Sequence, residues 1–196
     1  MVFMNKKLSE ISDIYLGQPI REKIENKDSG EFFIVQMKDV SRDSGVNVKS
    51  LYRTNLKGRV GPRIVKKGDL LFVSRVFRES LPYSVFVNAD IPNLIAAPTF
   101  TILSVDNKII LPEYLHWFIN SESHGGKFFK RNAMGSSVLN IPKNVLSEID
   151  IFVPPMEVQK KLVKLIQATN REKEIMKALS EKRMALNEAL LNNFIN

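Results

Sequence analysis

The side chains that could do chemistry in this chain are mainly cations, and they are concentrated in one stretch. Residues 38–78 include eleven lysines and arginines but only three aspartates, an excess equal to the formal net charge of +8 of the whole chain. An arginine guanidinium can bond a phosphate at two points, or the O6/N7 edge of guanine. The stretch therefore predicts contact with nucleic acid. The alternative is a solvated loop surface without a ligand. Glycines and a proline punctuate it, as is typical of loops: Gly45, Gly58, Gly61, Pro62 and Gly68.

A second group of cations surrounds two aromatic residues. Lys127, Lys130 and Arg131 flank Phe128 and Phe129. Aromatic rings beside cations can stack on bases. A short helix more often packs such a pair against the core and leaves its lysines in solvent. We favour the core interpretation for the two phenylalanines.

Motifs of catalysis are absent from the sequence. It has no cysteine, which excludes thiol catalysis and cysteine-based zinc sites, and its only histidines are His116 and His124. It also lacks the G-x-x-x-x-G-K-[ST], G-x-G-x-x-G, G-x-S-x-G and H-E-x-x-H patterns. We therefore predict recognition, with no catalytic residue, no metal site and no cofactor. We expect His116 to be hydrogen-bonded or at the surface, not a metal ligand. A metal nuclease stays open as an alternative, because dispersed acids can assemble in three dimensions.

The elements that must position these side chains are short and mixed. Apolar spacing predicts helices over 7–16, 113–120, 126–133 and 142–146. Runs of β-branched and aromatic residues predict strands over 31–40, 70–76, 83–87, 97–105, 136–139 and 148–153. Prolines beside the strands at 83–87 and 97–105 favour sheet edges over centres. The predicted class is α+β, with a mixed globular domain over 1–155 followed by a long C-terminal helix.

The segment 156–196 differs in composition from the rest of the chain. It contains no proline and no glycine and is rich in good helix formers. About 38 helical residues would span roughly 57 Å, so the helix should project from the domain. Apolar residues recur along this helix with the seven-residue spacing of a coiled coil, and Thr169, Glu172 and Arg183 interrupt the seam that they form. This pattern favours a coiled coil with a partner over a helix folded back on its own domain. The apolar seam residues are Val158, Leu162, Leu165, Met176, Leu179, Leu186 and Leu190.

The remaining global properties are those of an ordinary cytoplasmic protein. The chain has 196 residues, of which 44% are hydrophobic and 26% charged, enough apolar material for a core. No run of about 18 apolar residues suggests a membrane span, and the N-terminus has no signal-like apolar segment. The absence of cysteine fits a reducing compartment.

In the second half of the chain a strand is followed by Pro-x-Tyr-Leu on a helix, a Gly-Ser segment, a short turn, and a strand ending in Pro-Pro-x-Glu-x-Gln. This order of motifs resembles the target recognition domain of Type I restriction-modification specificity subunits. The N-terminal KLSEISDIYLGQPI and the KGDLLFVSR segment fit the same family, so the resemblance covers nearly the whole chain. The residues that carry it are Pro112, Tyr114, Leu115, Gly135, Ser136, Leu146, Ile151, Pro154, Pro155, Glu157 and Gln159.

The resemblance implies a DNA specificity subunit that performs no chemistry itself. The domain would read one half of a split target, about three to five base pairs, and the helix would set the spacing of the half-sites. Partner methyltransferase (modification) and restriction subunits would carry out methylation and cleavage. Family subunits resemble two such domains in tandem with antiparallel long helices, and this chain has one of each. It would therefore form a homodimer, pair with a different half, or be a remnant.

The family has no fixed base-reading positions, so the candidate DNA contacts come from charge and position in loops. Arg75 and Arg78 could instead pair with an acid, since Glu79 is adjacent. The competing function is an adaptor that binds no DNA and recruits a partner through its helix. Candidates for groove contact are Arg42, Arg53, Arg59 and Arg63. Candidates for phosphate or groove-edge contact are Lys57, Arg75 and Arg78, with Ser136 and Ser137 as donors to the DNA backbone. Lys38 is a further candidate DNA contact.

Overall fold

The computed structural model describes residues 4–20, 23–42, 45–56 and 63–195. The chain separates into two units, Met1–Met156 and Glu157–Asn196. The first unit contains short strands and helices, and the second is helical up to Ile195. The predicted α+β class with a long C-terminal helix is confirmed.

Short strands make up most of the regular structure of the first unit. In chain order they are β1 (Met4–Lys7), β2 (Ser12–Leu16), β3 (Phe32–Val35), β4 (Val40–Ser41), β5 (Gly45–Val46), β6 (Tyr52–Thr54), β7 (Leu70–Val73), β8 (Arg75–Phe77), β9 (Tyr83–Phe86), β10 (Leu94–Ala96), β11 (Phe100–Val105), β12 (Val138–Asn140) and β13 (Asp150–Val153). The helices are α1 (Leu8–Ile11), α2 (Pro112–Asn120), α3 (Lys127–Asn132), α4 (Lys143–Ser147) and α5 (Met156–Ile195).

A four-stranded antiparallel sheet in the order β2-β11-β7-β9 holds the core. Its central strand β7 is apolar throughout, and each of its four side chains is at most 1% exposed. A three-stranded sheet has β3 at its centre, with β10 parallel on one side and β6 antiparallel on the other. Ile34 and Ile95 from this sheet share one apolar cluster with Val73 and Ile102 from the first. The two sheets are therefore parts of one core.

Helices α2 and α3 pack against the four-stranded sheet. Helix α2 starts at Pro112, one residue before the predicted limit of 113, and packs against β9. Buried Tyr114 donates its hydroxyl to the carbonyl oxygen of Phe152 (2.9 Å), and burial raises the pKa of this phenol to about 12. Phe129 of α3 is fully buried, with its ring 5.3 Å from that of Phe72 on β7. Phe128 is half-buried and Lys127, Lys130 and Arg131 are exposed, which confirms the core interpretation for Phe129.

The predicted helix over 7–16 is wrong, except for one turn at Leu8–Ile11. The flanking segments are strands, because β1 pairs with β13 and β2 pairs with β11. Leu8 and Ile11 fit a helical face, but burial in β2 alternates, with Ser12 and Ile14 inside and Asp13 outside. A period of two thus replaces the helical period after Ile11, since sheet pairing determines the backbone conformation there.

Three predicted strands have different limits in the structure. The strand over 31–40 ends at Val35, and Asp39, buried in a 3₁₀ turn at Met37–Asp39, accepts a hydrogen bond from the backbone N–H of Gln36 (2.9 Å). The strand over 97–105 begins at Phe100 and is central in its sheet, not at the edge that its neighbouring proline favoured. The strand over 70–76 is interrupted at Ser74, where the chain changes partners.

Helix α5 runs for 40 residues from Met156 to Ile195, a length of about 60 Å. The absence of proline and glycine therefore predicted its extent well. Its second half carries many exposed apolar side chains. Across the described residues, no helix combines the length and apolar character that a membrane crossing needs.

Phe129→Ala is expected to lower the free energy of unfolding by about 3–5 kcal/mol, because truncating a fully buried aromatic side chain leaves a cavity beside Phe72. Phe128→Ala is the matched control, with a smaller loss because Phe128 is only half-buried. Urea denaturation followed by far-UV circular dichroism measures both. Equal losses for the two variants would contradict this assignment of the core side chain.

Candidate nucleic-acid interface

Strands β8 and β12 form a two-stranded antiparallel ribbon that is separate from the core sheets. Its register pairs Arg75 with Asn140, Val76 with Leu139, and Phe77 with Val138. Paired residues share a face and successive residues alternate between faces. Val76 is buried and Leu139 half-buried, so this pair lies on the core side. The other two pairs share the opposite face, on which Phe77 is 74% and Val138 47% exposed.

The loop that leads into β12 is a compact turn. Met134 and Asn140 exchange two backbone hydrogen bonds (3.0 and 2.8 Å) across it. Gly135 has a φ of 112°, and a Cβ there would lie 2.1 Å from the carbonyl oxygen of Val138, so the turn requires glycine. Ser136 and Ser137 lie at the exposed tip of this turn. The sequence therefore builds a defined polar tip at the end of the ribbon.

Arg78 joins this tip to the first strand of the ribbon. Its backbone N–H donates to the carbonyl oxygen of Ser137 (3.2 Å), and its Nη1 lies 3.5 Å from that of Ser136. Arg75 and Arg78 are both exposed, and the carboxylates of the described residues lie beyond 4.0 Å from them. An ion pair between Glu79 and either of these arginines is therefore not formed. The structure brings together Arg75, Arg78, Ser136 and Ser137 from the predicted set.

An open groove of about 460 Å³ adjoins the ribbon. Arg78 and Lys130 line it together with Glu79 and Glu122, so it carries charges of both signs. Lys130 belongs to the second cation group, and α3 holds it in solvent while Phe129 is buried. Arg78 thus belongs to both the groove and the segment that follows β8. In the described part of the chain, no group of three His, Asp or Glu side chains is placed to hold a metal ion.

Arg42 lies elsewhere and is engaged by the protein itself. Its Nη2 donates to the carbonyl oxygen of Asn120 (3.0 Å) at the end of α2, and its guanidinium carbon is 5.8 Å from the centre of the Tyr83 ring. A cation at a helix C-terminus is favourable, because it satisfies an unpaired carbonyl and opposes the helix dipole. Arg42 therefore has a structural contact that its place in the sequence did not reveal.

His116 is hydrogen-bonded, as predicted, beside this arginine. Its Nδ1 lies 3.1 Å from Ser84 Oγ and 3.4 Å from Asn120 Nδ2. Asn120 also accepts from the backbone N–H of Ser84 (2.8 Å) and donates to its carbonyl oxygen (3.0 Å). Burial, and secondarily the charge of Arg42, lowers the pKa of His116 to about 4. Burial raises the pKa of Tyr83, while Arg42 opposes that change. This network joins α2 to β9.

The other predicted contacts are spread over the domain, each with an aromatic ring of its own. Lys38 Nζ is 3.0 Å from the centre of the Tyr52 ring, and the guanidinium of Arg63 is 3.9 Å from that of Tyr15. Arg53 lies 5.2 Å from the Phe33 ring and donates from Nε to the carbonyl oxygen of Gly30 (3.0 Å). These contacts restrain the cations but leave them exposed. Lys57 and Arg59 lie outside the described residues.

Sequence reasoning missed the apolar and amide side chains of the ribbon. Phe77, Val138 and Asn140 share a face with Arg75, but the segment 70–76 was expected to be one strand. The sequence Arg75-Val76-Phe77 already shows the alternation of a strand, in which Val76 faces the core and its two neighbours face away from it. This alternation could be interpreted only with the knowledge that the chain leaves the four-stranded sheet at Ser74.

Helix α5 presents a second surface of different chemistry. Val158 and Leu162, in its first turns, are half-buried. Ile175 and Phe194 flank the predicted seam and extend its apolar surface. The other five apolar seam positions are exposed: Leu165 (63%), Met176 (61%), Leu179 (48%), Leu186 (59%) and Leu190 (48%). An apolar stripe of this length on a helix is typical of a surface that binds another protein.

The family model for the Type I restriction modification DNA specificity domain matches residues 2–182. Three solved structures are similar to the chain, and each match covers 91% of it. The S subunit of the Type I restriction-modification system from M. genitalium has a TM-score of 0.59 at 14% identity, with 41% of that chain covered. The HsdS subunit from Thermoanaerobacter tengcongensis has a TM-score of 0.62 at 19% identity, with 45% covered.

A chain from a structural study of complex assembly and conformational transition of the type I R-M system has a TM-score of 0.69 at 18% identity, with 45% covered. At these identities the likeness shows the fold. The present chain spans less than half the length of each of these three chains. No protein with curated annotation matches the chain significantly.

The buried His116 is expected to make the protein sensitive to acid. Because its pKa is about 4 in the folded protein and about 6.5 when unfolded, the unfolded chain binds the proton more readily. The resulting stability is present above about pH 6.5 and is lost as the pH falls towards 4. The loss between pH 7 and 4.5 is about 2–3 kcal/mol. Urea denaturation at the two pH values should show a smaller loss for His116→Gln, and an equal loss would contradict this role.

Proposed function

This chain belongs to the family of Type I restriction modification DNA specificity domains, and we propose that it is a non-catalytic subunit that selects the DNA sequence on which a restriction-modification enzyme acts. The family match over residues 2–182 carries this proposal. The ribbon of β8 and β12 supports it, because exposed arginines and a polar tip on a strand pair suit contact with duplex DNA. Residues 1–155 would form the target recognition domain.

Catalysis would come from partner subunits. A methyltransferase (modification) subunit would transfer the methyl group, and a restriction subunit would cleave the DNA, each directed by the sequence that this chain binds. The supporting observation is that the β8–β12 ribbon exposes the cations of Arg75 and Arg78 and the hydroxyls of its tip, which suit binding. This division of labour also agrees with the lack of catalytic sequence motifs.

Residues 156–196 would pair two copies of the chain and set their spacing. The stripe on α5 leaves large apolar side chains exposed over several turns, and burial of such side chains drives helix pairing. Thr169, Glu172 and Arg183 on the same seam would fix the register of the pair. An assembly with a twofold axis would present two recognition domains to DNA. Each would read one half of a bipartite target with inverted symmetry.

Methylation mapping tests the function directly. We expect co-expression of the full chain with the methyltransferase subunits of its host to produce new adenine methylation at a split motif with two identical, inverted halves. Single-molecule sequencing of genomic DNA, compared with the methyltransferase subunits alone, measures this. Two different halves would show that the partner is not a second copy. No new methylation from a well-folded complex would contradict the proposed function and favour an adaptor.

Leu179→Lys is expected to weaken the pair at least about 100-fold, because it would place a charge in the apolar seam. Met184→Lys is the matched control, since Met184 is 70% exposed on the same helix but lies off the seam. Sedimentation equilibrium gives the dimer dissociation constant for wild type and both variants. A monomeric wild-type chain, or equal effects of the two variants, would contradict pairing through the seam.

A further inference from the structure

The ribbon face that points away from the core combines three side-chain types that read base edges. Arg75 and Asn140 are direct neighbours across the strands, and Phe77 and Val138 form the next pair on the same face. We propose that the β8–β12 ribbon enters the major groove and that this face reads the bases. The inference rests on the proposed function and deepens it, because it names the element and the residues that would determine the target sequence.

The dimensions of the ribbon suit the major groove. Two paired strands lie about 5 Å apart, and the bridge from Asn140 to Met134 widens the element to about 10 Å at that position. A major groove about 12 Å wide admits an element of this width. The two outward pairs, Arg75 with Asn140 and Phe77 with Val138, are two residues apart, or about 7 Å along the ribbon. With about 3.4 Å per base pair, they would meet two or three adjacent base pairs. This span is comparable to one half of a split target.

The chemistry of the face corresponds to particular bases. An arginine such as Arg75 bonds the O6 and N7 atoms of guanine, and an asparagine such as Asn140 bonds N6 and N7 of adenine. Phe77 and Val138 offer apolar surface to the methyl group of thymine. The ligand is therefore duplex DNA in which a guanine or adenine lies within two or three base pairs of a thymine.

The rest of the ribbon would hold this face in place. Val76 on the opposite side is buried in the main apolar cluster. The backbone N–H of Ile141 donates to the carbonyl oxygen of Ser74 (3.0 Å), so the second strand is fixed where the first leaves β7. Arg78, Ser136 and Ser137 at the tip can bond the DNA backbone, which positions a protein without reading sequence. Specificity and positioning thus use different residues of one element.

The test is selection from a pool of duplexes with a randomised central segment, performed with the full chain at low salt. Wild type should select one motif. Arg75→Ala and Arg75→Lys should each lose the preference at one position of that motif, by about 5–100-fold, and keep the others. The lysine variant keeps the charge, so its affinity for a non-target duplex should stay within about twofold of wild type. Asn140→Ala should lose the preference at a different, nearby position.

Lys108→Ala is the matched control for loss of an exposed cation outside the ribbon, and it should leave the selected motif unchanged. For Phe77→Ala, replacing thymine by deoxyuridine in the motif should no longer reduce affinity, although it does so for wild type. Thermal denaturation confirms that each variant is folded. If wild type selects a motif and the ribbon variants select the same one, the ribbon inference is overturned while the proposed function stands. If wild type selects no motif, both fail.

Discussion

The change of partners at Ser74 is the constraint on which the rest of the domain depends. Residues 70–73 lie between β11 and β9 with every side chain buried, and residues 75–77 pair only with β12 among the described strands. One continuous chain therefore runs from the centre of the core into an exposed ribbon. Because a core strand cannot rotate without displacing its neighbours, the orientation of the ribbon is determined by the packing of β7. The ribbon therefore keeps its orientation without a bound ligand.

The distribution of cations shows that a basic stretch is not the same as a basic surface. Arg42 binds the end of α2, while Lys38, Arg53 and Arg63 each lie over a different aromatic ring. Tyr52 and Arg53 are consecutive on β6 and point to opposite faces, so Lys38 and Arg53 do not share a surface. The net charge of +8 still attracts DNA over a distance of about a Debye length. Under the proposed function, local reading of bases would depend on a few positioned side chains.

The sequence predicted those parts of the fold where local preference and packing agree. Helix α5 lacks proline and glycine, and α2 begins at Pro112, so both could be located without tertiary information. The structure of segment 7–16 could not be predicted in this way, because its apolar spacing fits a helix. Pairing with β13 and β11 makes its two ends strands. The ribbon was found only through its arginines and serines. Phe77 and Asn140 were not predicted as candidate contacts, since they share a face only in the register of β8 with β12.

The two exposed surfaces, the apolar stripe on α5 and the outward face of the ribbon, differ in their physical character. The stripe on α5 is made of leucine, isoleucine, methionine and phenylalanine, which gain stability only when another apolar surface excludes water. The outward face of the ribbon combines arginine and asparagine with two apolar side chains, a mixture of hydrogen-bonding and apolar groups. In the proposed complex a DNA duplex would pair with these groups, since base edges offer acceptors, donors and methyl groups side by side. Under the proposed function α5 would space the two half-sites and the ribbon would read them, so the target sequence could change without altering the assembly.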